Sequence, residues 1–199
     1  MTQRDEALER ADRWIQNLPP IYRIEKGTNR EQTAVQLLHL SVEHHSGIVT
    51  LVQNEQFSPA FALMRPQQEA WLRAIWARSQ ATDNELKRFL DGSDKRGPSL
   101  KKIIDALADK EERAVLQANY DTVYHHLCDY THGGANQIKA RDHIEGVQTF
   151  FTDESIRWLV DSSARMSYLA LMEMAEVIDD SQLLQFIHAH FLSVYPCPS

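Results

Sequence analysis

Cysteine is scarce in this 199-residue chain: Cys128 stands in its second half and Cys197 near its end. Two thiols so placed build no disulfide framework, and a reducing, cytoplasmic setting is the expectation. Glycine and proline are equally sparse, with seven of each. They gather at a few punctuation points, which argues against long disordered tracts. No apolar run approaches the roughly 18 residues of a membrane span, and the charged start "MTQRDEALER" lacks the apolar stretch of a secretory signal. A soluble protein with no membrane association is expected. Basic residues are outnumbered, 21 Lys and Arg against 28 Asp and Glu, for a formal net charge of −7. That balance excludes a surface given over entirely to nucleic acid.

Nucleotide-binding loops of the forms G-x-x-x-x-G-K-[ST] and G-x-G-x-x-G are missing. So are H-E-x-x-H, cysteine pairs at zinc spacing and the Glu-x-x-His of di-iron bundles. Alternation with period two is also absent, as is any repeat at a solenoid period. Any chemistry must come from residues that folding brings together, and no cofactor is implied.

What the chain has instead is helical spacing almost everywhere. In "EQTAVQLLHLSVEHHSGIVTLVQNE", Val35, Leu38, Val42, Val49 and Val52 step by three and four with His45 between them. A second stripe, Leu37, Leu40, His44, Ile48 and Leu51, runs beside it, so a broadly buried helix is predicted. His44 and His45 read as core imidazoles bonded to a neighbour. "SPAFALMRPQQEAWLRAIWARSQA" predicts a helix capped by Ser58, with Pro59 at its first position and a kink at Pro66. Short helices follow at "TDNELKRFL" and after Pro98–Ser99, then one from about Lys110 to Thr131 that the glycines of "HGGANQ" end. Thr152 opens the helix "DESIRWLVDSSARMSYLALMEMAEVI", acidic in its first turn, and "SQLLQFIHAHFLSVY" is the last. The fold expected is one all-α domain over 1–199: a single bundle of about six to eight helices, one of them Pro-kinked. Residues 1–27 hold a loosely docked N-terminal helix. Whether the 136–150 segment lies over a site as a lid stays open.

Three constellations carry charge in informative places. Ala62, Arg65, Glu69, Leu72 and Trp76 share one stripe, so Arg65 and Glu69 sit among apolar residues. Charges there cost several kcal/mol unless paired. One reading is an Arg held by a Glu and aimed at a phosphate; the other is an Arg65–Glu69–Arg73 ladder with no role beyond stability. His125, Asp129 and His132, four and three apart, share a face. They read as a general base with its orienting carboxylate, as a divalent-metal site, or as a solvated polar face. His132 stands out because it adjoins Gly133–Gly134 in "CDYTHGG". In "LKRFLDGSDKRGPSLKK", six basic residues against Asp91 and Asp94 leave an excess of four positive charges. Lys95, Arg96, Lys101 and Lys102 are therefore candidate nucleic-acid contacts, against the alternative of a solvated loop.

The stretches "SPAFALMRPQQEAWLRAIW" and "YHHLCDYTHGG" resemble, over about residues 33–136, a large group of uncharacterised bacterial helical proteins that is itself similar to HEPN-type helical bundles. The shared pattern is Arg and Glu one turn apart in a buried helix and a later His at a helix end. That resemblance implies a metal-independent ribonuclease or nucleotide-binding protein of a toxin–antitoxin or phage-defence system, a homodimer, and a cognate protein partner. It implies His132 as general acid/base, Arg65 as charge stabiliser, Glu69 as its orienter, and Tyr130 or His125 as assistants. HEPN ribonucleases typically carry an Arg followed by a His after four to six intervening residues on one helix. Here eight residues separate Arg30 from His39 and one separates Arg141 from His143, so the pair must form in space. The alternative class is a non-catalytic interaction bundle, antitoxin-like or scaffold.

Overall fold

The structure, a computed structural model, describes residues 1–18, 27–94, 97–107, 110–143, 146–147 and 150–196. Ten α-helices are seen among them: α1 (Gln3–Gln16), α2 (Asn29–Gln53), α3 (Phe57–Ile75), α4 (Asp83–Leu90), α5 (Leu100–Asp105), α6 (Lys110–Asn119), α7 (His125–His132), α8 (Ala135–Lys139), α9 (Asp153–Val177) and α10 (Ser181–Val194). The one strand pairing among the described residues is an antiparallel contact of Asp142–His143 with Gly146–Val147. The all-α class stands, with more helices than the six to eight expected. A π-helical turn, Tyr120–Tyr124, divides one expected helix into α6 and α7, and α8 follows the glycine pair directly. A second π turn, Trp76–Gln80, extends α3. Such turns are rare and recur beside functional sites.

Local chemistry sets the helix starts. Thr2 with Asp5, Thr28 with Glu31 and Thr82 with Glu85 form reciprocal capping boxes at α1, α2 and α4. Ser99 and Thr152 cap α5 and α9. At α3 the expectation misses by two residues: the helix starts at Phe57 after an uncapping Gln56, and Ser58 lies inside its first turn. Pro59 is tolerated there because first-turn amides need no intrahelical partner.

The antiparallel pair α2 and α3 is the centre of the bundle, and α9 lies across both. Leu38, Leu72, Ile103, Ile104 and Met174 fill one part of the core. Ile48, Val52, Phe61, Leu127 and Leu159 fill another, reached from α7. The N-terminal helix is not loosely docked: Ala7, Ala11 and Trp14 are fully buried against α9 and α10. The Trp14 indole donates to Ser167 Oγ at 2.7 Å, and Arg10 grips Asp161 with both bonds at 2.9 Å. Trp71 and Trp76 are core residues.

A buried polar chain crosses the centre. Ser163 Oγ donates to Gln67 Oε1 at 2.7 Å, so it must accept from His45 Nδ1 at 2.9 Å. His45 is therefore neutral with its proton on Nδ1, and burial alone pushes its pKa down to about 3. Gln67 returns its amide to Ser163 O, and its own carbonyl receives Ser41 Oγ.

Candidate functional site

The outer face of α3 carries Arg65, Glu69 and Arg73 at successive steps of four, all partly buried. Arg65 Nε donates to Glu69 Oε1 and Arg73 Nη1 to Glu69 Oε2, both at 2.8 Å. The Tyr124 hydroxyl adds a third donor to Oε1 at 3.0 Å. Burial works against ionisation of Glu69, but the bonds and charges of Arg73 and Arg65 and the bond from Tyr124 outweigh it and hold the carboxyl below its ordinary value. Burial and the Glu69 charge push the Tyr124 phenol up to about 12, so it keeps its proton and remains a donor. Desolvation opposes the Arg65 charge, yet Glu69 and its neighbours raise its pKa further. The guanidinium also lies over the Tyr124 ring, 5.1 Å from its centroid.

The distance that decides whether a composite site exists is the one from Arg65 to His132, 67 residues later. Arg65 Nη1 lies 2.5 Å from His132 Nε2. A guanidinium can only donate, so the imidazole accepts at Nε2 and its proton is on Nδ1. Glu69 holds the arginine on one side while the histidine, exposed at the end of α7, receives its other arm. The cluster thus presents two cations, one carboxylate and a neutral base at a surface, a set suited to binding an oxyanion and accepting a proton.

The "CDYTHGG" end is what delivers His132. Gly133 closes α7 in the left-handed region at φ 68°, where a side chain would be strained. Gly134 is required for another reason: a Cβ there would meet Asp129 Oδ1 at 2.5 Å and Asp129 Cα at 2.9 Å. The freed amides of Gly133 and Gly134 both return to Asp129 O, and the Asp129 carboxylate faces the Asn136 amide at 3.4 Å. Pro66 supplies a further anchor. It has no N–H for the Ala62 carbonyl four residues back, and Thr131 Oγ1, which donates to Leu127 O at 2.9 Å, lies 3.5 Å from that carbonyl.

The other expected site residues fall differently. The Tyr130 ring stacks on Phe61 at 4.8 Å and tilts against Phe151, so it packs into the apolar core next to the site; the phenol on Glu69 is Tyr124. The spacing Tyr124–Cys128–His132, two steps of four, was the available signal. Cys128 is a free, half-buried thiol. The His125 side chain, Lys95 and Arg96 lie outside the described residues. Lys101 and Lys102 are exposed, and Lys101 Nζ stands 3.9 Å from Asp105. Among the described residues, no three His, Cys, Asp or Glu side chains are grouped to hold a metal ion. The segment after the glycines is tied to α7 by Gln137, whose amide donates to Tyr130 O at 2.9 Å. No described helix is long and apolar enough to cross a membrane.

Neither a curated protein nor a solved structure matches the chain. A family model does, over residues 38–196, which include α3, α7 and every residue of the Arg65–Glu69–His132 cluster, and the chain belongs to that family, the family of unknown function DUF6988.

Proposed function

We propose that the protein is a HEPN-like, metal-independent ribonuclease whose composite site joins Arg65 and Glu69 of α3 to His132 of α7. The observation that carries this reading is the Arg65 Nη1–His132 Nε2 contact, with Arg65 anchored from behind by Glu69. A phosphodiester entering the site draws the Arg65 arm onto its non-bridging oxygens. That movement uncovers His132 Nε2, already lacking a proton, beside the substrate. Nε2 takes the 2′-hydroxyl proton, the 2′-oxygen attacks phosphorus, and the imidazolium returns a proton to the 5′-oxygen as the P–O5′ bond breaks. Arg65 stabilises the added negative charge throughout, Glu69 fixes its direction, and Tyr124 holds Glu69. Lys101 and Lys102 serve as outlying phosphate contacts. The setting is cytoplasmic, the working form a homodimer, and the biological context a toxin or phage-defence system.

The test is single-turnover cleavage of a labelled single-stranded RNA by the purified protein in the presence of a chelator. His132→Gln and Arg65→Lys are each expected to lower the rate by 10²-fold or more while the thermal transition stays within a few degrees. Cleavage that survives both changes sinks the assignment. A second reading, a non-catalytic antitoxin-like or scaffold bundle, is favoured by the same Glu69 knot, because both arginines find their countercharge within the fold. It expects no cleavage by the wild type and no growth arrest on overexpression.

A further inference from the structure

Away from that site, α1, α9 and the end of α10 enclose an open groove of 680 Å³, within the usual size range of small-molecule pockets, roughly 300–1,000 Å³. Its floor is a ladder of rings, Tyr168 on Phe191 at 4.2 Å and Phe191 on Tyr195 at 4.9 Å. These rings spend their faces on one another and offer edges to an occupant, which suits an aliphatic chain better than a flat base. Leu169 and Leu192, 40% and 38% exposed, form apolar walls.

The charge around this groove is opposite to that of the molecule. Arg10 is neutralised by its two bonds to Asp161. Arg165 also lines the groove, is exposed, and makes no ion pair among the described residues. The charged residues that line the groove are thus Arg10 and Arg165 against the carboxylate of Asp161, in a chain of net charge −7. The Tyr195 hydroxyl itself is buried and makes no hydrogen bond among the described residues. A buried donor left without an acceptor is costly, and an acceptor supplied by an occupant of the groove would remove that cost.

We infer that the groove binds a small amphiphile with one carboxylate head and an aliphatic tail, the head at Arg165 and the Tyr195 hydroxyl and the tail along Leu169 and Leu192. One lining arginine without an ion-pair partner among the described residues matches one negative charge, and an apolar trough matches the tail. This site is independent of the reading of Arg65 and His132.

Calorimetric titration of the full chain with dodecanoate, kept below its micellar concentration, is the test. Saturable one-to-one binding is expected. Arg165→Gln should weaken it by at least 10-fold and Leu169→Gln/Leu192→Gln by a similar factor. Methyl dodecanoate, which keeps the tail and loses the charge, should bind at least 10-fold more weakly than the acid. Tyr195→Phe should weaken binding several-fold without lowering the melting temperature, since the hydroxyl it removes has no partner among the described residues. The inference is overturned by absence of saturable binding, by equal affinity for acid and ester, by an Arg165→Gln variant that binds as the wild type does, or by a dimer that Leu192→Gln dissociates.

Discussion

Replacing Glu69 by glutamine tests whether the cluster on α3 is one cooperative unit. The carboxylate accepts Arg65 and Tyr124 on Oε1 and Arg73 on Oε2, with its own side chain only 17% exposed and those of the arginines 19% and 22%. Glutamine is nearly isosteric, yet it has one acceptor oxygen. If that oxygen keeps the place of Oε1, the amide NH₂ is forced against Arg73 Nη1, donor against donor, and both guanidiniums lose their countercharge. Hydrogen bonds to charged groups contribute about 1.5–3 kcal/mol each, and breaking a buried ion pair from one side costs about 3–5 kcal/mol. Partial exposure and the bonds that glutamine retains bring the expected loss to about 2–3 kcal/mol. For a chain of this size that is a fall in melting temperature of roughly 4–12 °C.

The cycle is completed with Arg73→Met, alone and together with Glu69→Gln. Once Arg73 is gone the opposed donor is gone too, so the double variant should be more stable than the sum of the singles predicts by about 1 kcal/mol or more. Chemical denaturation gives all four free energies at 25 °C. Two results refute the reasoning: a Glu69→Gln variant within about 0.5 kcal/mol of wild type, or singles that add within the same margin.

Three further perturbations follow from the same geometry. Because burial lowers the His45 pKa to about 3 from an ordinary 6.5, the unfolded chain binds the extra proton between those values; stability is full above pH 6.5 and falls as pH drops, by roughly 1 kcal/mol for each pH unit between about 6 and 4. His44, also lowered by burial, adds to that slope, and a pH series of urea melts that is flat from 7 to 5 contradicts it. Gly134→Ala places a methyl against Asp129 and should cost about 1–3 kcal/mol; Asp129→Ala should rescue it only in part, since one clash is with the Asp129 backbone, and a wild-type melting temperature for Gly134→Ala would be a failure. Pro66→Ala restores the amide that the Ala62 carbonyl lacks and should raise stability by about 1–2 kcal/mol, less than the ~3 kcal/mol of helix propensity because proline also restricts the unfolded chain; an unchanged or lower melting temperature counts against that account.

The parts of the fold legible in the sequence are those written locally. Thr152 and Ser99 cap the helices their positions suggest, and His45 is a core imidazole bonded to a neighbour because a polar ring on an apolar stripe must find one. Arg65 and Glu69 pair because four residues is one turn. The missed features need geometry that spacing does not encode. Tyr124 lies in a π turn, whose wider winding shifts every later side chain round the axis. Tyr130 sits at the same helix end as His132, but alternate positions face apart, and Phe61 and Phe151 claim its ring. The depth at which α1 docks rests on Trp14, whose partners on α9 and α10 lie more than 150 residues away. The Arg65–His132 contact itself came only from the resemblance, since nothing local relates two residues 67 apart.

What makes that contact durable is that α3 is clamped from both sides. One face sends Gln67 into the buried chain with Ser163 and His45; the opposite face sends Arg65, Glu69 and Arg73 outward. A rotation of α3 that separated Arg65 from His132 would break the Gln67 bonds at 0% exposure, where unmade polar groups cost most. On the other side, α7 is fixed by Leu127 in the core, by Tyr124 on Glu69 and by the glycine turn that folds back on Asp129. The freedom left is local: the Arg65 arm can leave His132 while its Nε stays on Glu69. On the proposed reading, a site built this way changes state by moving one guanidinium, and an oxyanion that captured the arm would free the base without disturbing the bundle.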